Sequence, residues 1–118
     1  MSPLGNVIVR LLYPAYYAMA KRGGDRHYNA ARAADQAARA MESGEPAWAI
    51  KLARLSVAAD PSSPVGYAAL GSVYRKAGEE GFARKTFEQG LDFASRDTRL
   101  LLGLADLELA ARNAGRAR

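Results

Sequence analysis

The sequence predicts an all-α chain built from antiparallel helical hairpins, and three observations carry that prediction. β-branched residues are few while Ala, Leu and Arg abound, so intrinsic propensity favours helix almost throughout. Apolar residues recur at helical rather than alternating spacing. Gly and Pro gather at a few points that cut the chain into segments of helix length. At 118 residues this is one domain by length, and 49% hydrophobic against 25% charged residues is the balance of a folded chain.

Residues 4–20 are apolar with helical spacing and form the first element. Lys21 to His27 is a polar loop containing Gly23-Gly24. Residues 28–43 are Ala-rich and stop at Ser43-Gly44. Pro46 opens the next helix from its first turn, where a missing N–H costs nothing, and that helix runs to Ala59 before Asp60-Pro61. A fourth helix covers 64–77 and stops at Gly78, a fifth covers 80–94, and a last one starts at Asp97-Thr98 and ends near Asn113-Gly115.

Gly44 and Gly78 stand 34 residues apart, and Ala37/Gly71, Ala49/Ala83 and Val57/Leu91 pair at the same offset. In the second unit, residues 64–97, the pattern is Tyr67, Leu70, Gly71, Tyr74, Gly78, Ala83, Phe87 and Leu91. This pattern resembles the tetratricopeptide repeat family, whose unit is a helix–turn–helix of that period. The first unit, 30–63, matches through Ala37, Gly44, Ala49 and Pro61, with Ala33 and Gln36 in place of large residues. Gly90 and Ser95 depart from the family's Ala and Pro. The resemblance implies a short α-solenoid: an N-terminal segment 1–26, a repeat domain 27–118, and a closing helix 98–113. That helix would begin a third unit through Leu101, Leu104 and Ala105, although counting back from Gly115 gives a different spacing. Gly71 and Ala83 are expected where paired helices cross, because backbones approach closely only between small side chains.

The net charge is +5, and the excess sits in residues 1–30 and 96–118, while 31–95 balance. Neutral repeats argue against a nucleic-acid partner, which would want a continuous basic face. Without cysteine there is no disulfide or thiol chemistry, and a zinc site is disfavoured. His27, the one histidine, lies beside Asp25 with no second ligand at metal spacing. The serines have no base partner in a motif, and Gly23-Gly24 is too short to cradle phosphate. No active site and no cofactor are expected.

The resemblance implies a concave groove lined by the first helix of each unit. Its expected lining is Ala34, Ala38 and Met41 in the first unit and Ala68, Ser72, Arg75 and Lys76 in the second. Places where some family members grip a terminal carboxylate hold Ala34, Ala38, Ala68 and Ser72 here. A smooth groove of this kind suits a partner's helix or loop, or is filled by the chain itself. Arg75 and Lys76 read as the solvated end of a helix.

The N-terminal segment places Leu4, Val7, Ile8, Leu11, Leu12, Ala15 and Met19 on one helical stripe, with Pro14 inside it and Tyr13, Tyr16, Tyr17, Lys21 and Arg22 beside it. Four readings stand. A secretory signal with Ala18-Met19-Ala20 is opposed by Arg10 and Pro14. A membrane span is opposed by its length and by Asn6, Arg10 and Pro14. A docking helix against a lipid surface or membrane protein suits the Tyr and Lys/Arg boundary. A cap on the first repeat is the structural alternative. The combined expectation is a non-enzymatic interaction module, cytoplasmic or peripheral to a membrane, that scaffolds a larger complex. The rival is a self-assembling homo-oligomer in which the N-terminal segment of one copy fills the groove of the next. Frequent Arg and Ala suggest a GC-rich bacterial genome.

Overall fold

The computed structural model describes Pro14 and residues 25–116. The described residues form five α-helices and no strand: α1 (Arg26–Glu42), α2 (Pro46–Ala59), α3 (Pro64–Lys76), α4 (Glu80–Phe93) and α5 (Thr98–Arg116). The expected all-α class holds. The candidates in residues 1–24, namely Val7, Ile8, Leu11, Leu12, Tyr13, Tyr16, Tyr17, Lys21 and Arg22, lie outside the described residues.

The start of α1 is earlier than spacing alone predicts. Asp25 accepts a hydrogen bond from the Tyr28 N–H at 3.1 Å, which satisfies one of the orphan donors of the first turn. His27 is thereby on the first turn rather than in a loop. Its Nδ1 lies 2.9 Å from Asp60 Oδ2, so an acid distant in sequence accompanies it after all. The His27 side chain is otherwise open to solvent, while that of Asp60 is buried and also accepts from Ser62 Oγ.

The 34-residue spacing reappears as geometry. α1 and α3 end at Glu42 and Lys76, α2 and α4 begin at Pro46 and Glu80, and α3 and α5 begin at Pro64 and Thr98. The turns repeat bond for bond. Glu45 N–H reaches Ala40 C=O and Glu79 N–H reaches Tyr74 C=O, with Ser43→Arg39 and Ala77→Val73 beside them. Each turn is closed by a glycine in the left-handed region, Gly44 at φ 75° and Gly78 at φ 84°, where a Cβ would be strained. The longer turns repeat too, through Ser63→Asp60 and Asp97→Ala94, although Asp-Pro occurs only in the first.

α1, α3 and α5 lie side by side. α2 packs against α1 and α3, and α4 packs against α3 and α5. The core follows this order. Ala37, Ala40, Trp48, Ala49, Leu52, Ala53 and Val73 close the first three helices, and Tyr67, Tyr74, Ala83, Phe87, Leu100 and Leu107 close the last three. Ile50 and Leu70 touch both clusters, so burial is continuous. Alanines carry the α1 side of the interface, which brings α1 close enough for the fully buried Ser56 hydroxyl to donate to Ala30 C=O at 2.6 Å.

Asp97 caps α5, accepting from the Leu100 N–H at 3.2 Å and pairing with Arg99. Burial pushes this carboxyl up, but the Arg99 guanidinium hydrogen bond, the Leu100 N–H, the Arg99 charge and the Arg99 N–H outweigh it. The group is held below its ordinary value of 3.8. A depressed folded value means that the stabilisation is complete above the ordinary carboxylate range and is lost as pH falls through the lower, folded value. Asp97→Ala is expected to cost about 0.5–2 kcal/mol near neutrality. Asp97→Asn keeps a good cap and flattens the acid limb of the stability profile. Urea midpoints measured between neutral and strongly acid pH check both; an unchanged acid limb in Asp97→Asn refutes the assignment.

Candidate partner-binding cleft

Two small residues build the floor of the cleft. Phe87 leaves α4 and lays its ring between α3 and α5, and a Cβ added at Gly71 would collide with the ring. On the other side, a Cβ at Gly103 would lie 2.5 Å from Phe87 Cζ. Gly71 therefore sits where α3 approaches its partner, as expected, and Gly103 repeats the arrangement on α5. Gly90 is explained by the same packing. A Cβ there would stand 2.7 Å from Tyr67 Cβ and 2.8 Å from Leu100 Cδ1, so the family's Ala has no room.

Above the Phe87 ring lies an open cleft of about 350 Å³ between α3 and α5. Ala68, Ser72 and Arg75 form one wall, and Arg99, Leu102, Gly103 and Asp106 form the other. Three of the four α3 residues expected in a groove are thus present, and Lys76 is not among the lining. On α1, Ala38 is exposed and Ala34 half-buried, while Met41 is half-buried and packs on the first core cluster. These α1 positions are separate from the α3–α5 cleft.

The α5 wall was not legible in the sequence. Leu100 and Leu107 are the buried residues of α5, with Leu104 half-buried; Leu101 and Ala105 face solvent. The inward face is therefore displaced by one residue from the register through Leu101, Leu104 and Ala105. Gly103 was the available signal, because only a residue without a side chain fits over Phe87.

Arg75 stands exposed in the last turn of α3, as expected, and is also paired. Its Nη1 lies 3.0 Å from Asp106 Oδ2, joining α3 to α5 at the surface. Both residues also line a second hollow of about 510 Å³ with Glu80, Leu107, Leu109, Ala110 and Asn113, so the ion pair divides two open spaces along one seam. Arg84 pairs with Glu108 across α4 and α5. Such exposed pairs contribute about 0–1 kcal/mol each, so they set orientation more than stability. Deeper in, the Tyr67 hydroxyl donates to Pro61 C=O at 2.7 Å, and burial raises its pKa. Arg54 donates to the Tyr74 hydroxyl at 2.8 Å.

Family models, curated proteins and solved structures give no match to this chain. Among the described residues, no cluster of three His, Cys, Asp or Glu could hold a metal, and no helix is long and apolar enough to cross a membrane. The chemistry the cleft offers is an apolar floor, small side chains on one wall, and an Arg on each wall.

Proposed function

We propose that the chain is a non-enzymatic interaction module of tetratricopeptide-like hairpins, which holds a helix or loop of a protein partner in the α3–α5 cleft and so scaffolds a larger complex. The observation that carries this is the cleft itself: small residues Ala68, Ser72 and Gly103 around the Phe87 ring, with Arg75 and Arg99 at its edges. Its volume falls in the range of about 300–1,000 Å³ typical of ligand sites. Small walls over an aromatic floor accept an apolar anchor side chain, the way an amphipathic helix enters a groove. The repetition of helix ends, turns and turn glycines at 34 residues supports the solenoid reading. Residues 1–26 are proposed as the contact to a membrane-associated partner, on the strength of their apolar stripe and Tyr and Lys/Arg boundary.

The test is a gentle-detergent purification from the native organism through a C-terminal tag, with wild type beside Ala68→Lys and Ser72→Glu. Both substitutions fill the cleft; Ala68 borders the second core cluster, so Tm is measured beside binding, and Ser72→Glu carries the test where Ala68→Lys lowers it. A stoichiometric partner present with wild type and lost from both variants is the expected result. A partner retained by both variants refutes the cleft as its site, and retention after deletion of residues 1–24 refutes the anchoring role.

A further inference from the structure

α5 carries six leucines between positions 100 and 109. Packing on α3 and α4 uses Leu100 and Leu107, which are 0% and 2% exposed. Leu101 and Leu109 remain 47% and 59% exposed, with exposed Ala105 between them, while Leu102, 58% exposed, edges the α3–α5 cleft. A helix apolar on opposite faces wants cover on both.

Leu101, Ala105 and Leu109 are spaced i, i+4, i+8, so they form one stripe, and that stripe reads the same in both directions about Ala105. We propose that it pairs with itself: two copies of the chain associate with α5 antiparallel to α5, about a two-fold axis through Ala105. An isologous contact requires a surface complementary to its own image. With the axis at Ala105, Leu101 meets Leu109 of the partner subunit. The small Ala105 lies at the crossing, where helices close to about 8 Å.

Charge selects the orientation. Antiparallel pairing about Ala105 brings Arg112, on the same face, opposite Thr98 of the partner subunit, with Asp97 beyond it already paired to Arg99. Parallel pairing would set Arg112 against Arg112 of the partner subunit. A single helix pair buries less than the roughly 800 Å² per partner of a standard interface, so the dimer is weak and dissociates on dilution. Leu101, Ala105 and Leu109 do not line the α3–α5 cleft, and Leu109 borders only the second hollow beyond the Arg75–Asp106 pair, so variants of the stripe leave the cleft walls in place.

Sedimentation velocity of the full chain, from low to high micromolar concentration, reads the association. The chain has no cysteine, so Ala105→Cys provides a single thiol at the axis for a short bis-maleimide. The expected result is a mass rising from one copy to two and stopping there, with efficient self-cross-linking at position 105 and none for Ser43→Cys. The paired variant Leu101→Lys with Leu109→Lys is expected to stay at one copy with unchanged circular dichroism and Tm. A wild type that remains a single copy throughout overturns the proposal. So does mass that grows without limit, the mark of head-to-tail association. Loss of helicity in the Lys variant of a monomeric wild type also overturns it, because the chain's own residues would then cover the stripe.

Discussion

Phe87→Ala is expected to cost about 3–5 kcal/mol, the usual loss for removing a buried phenyl group and leaving its cavity. That is a large part of the roughly 5–15 kcal/mol available to a domain. The ring is 3% exposed and touches three helices at once, since it projects from α4 into the space that Gly71 of α3 and Gly103 of α5 leave open. The flanking glycines have no side chains to move into its place. The damage falls most heavily on α5. Among the described residues that helix packs on α3 and α4, and its side-chain ties to them include the exposed ion pairs Arg75–Asp106 and Arg84–Glu108. Regions held by few buried contacts open before the rest. Urea denaturation should show the full loss, and hydrogen exchange should show α5 amides losing protection before those of α1 and α2. A loss under about 1 kcal/mol would overturn the slot described for Phe87, since a phenyl group that fills no gap leaves no cavity when removed.

The sequence reveals boundaries better than faces, for a physical reason. Gly44 and Gly78 take a backbone conformation that other residues resist, and Pro46 and Pro64 are tolerated only in a first turn, so each marks a helix end by local chemistry. Gly71 is legible too, as a small residue on an aromatic face. The face of α5 is another matter. With leucines at 100, 101, 102, 104, 107 and 109, apolar spacing fits several directions, and only packing over Phe87 selects Leu100 and Leu107 for burial. The candidate site inherits that asymmetry. Its α3 wall follows from the repeat pattern, while its α5 wall depends on a register that spacing does not determine. The His27–Asp60 contact lies further from reach, because it joins the first turn of α1 to the end of α2 across 33 residues with no local signal.

Gly71→Leu is expected to destabilise by about 1–3 kcal/mol despite the better helix propensity of leucine, which alone is worth up to about 1 kcal/mol over glycine. The two terms have opposite sign, and the magnitude decides between them. Even a methyl group at position 71 runs into the Phe87 ring, which must shift at a cost, because α5 at Gly103 leaves no room for a further Cβ beside it. Gly71→Ala therefore measures the conflict more finely than Gly71→Leu. In wild type the added methyl group displaces the ring. In a Phe87→Leu background, where the aromatic edge is gone, the same methyl group finds space and the helix propensity gain becomes visible. A double-mutant cycle should then give a favourable coupling within about 0.5–3 kcal/mol, the range for residues in direct contact. Additivity within about 0.3–0.5 kcal/mol would show that positions 71 and 87 do not touch, and the α3–α4 crossing would have to be placed elsewhere. The cleft responds in step. Its floor is the same ring, so a substitution at Gly71 that displaces Phe87 reshapes the space for a partner's anchor side chain. Loss of partner binding by Gly71→Ala, with recovery in the Phe87→Leu background, would tie the helix crossing to recognition through one side chain.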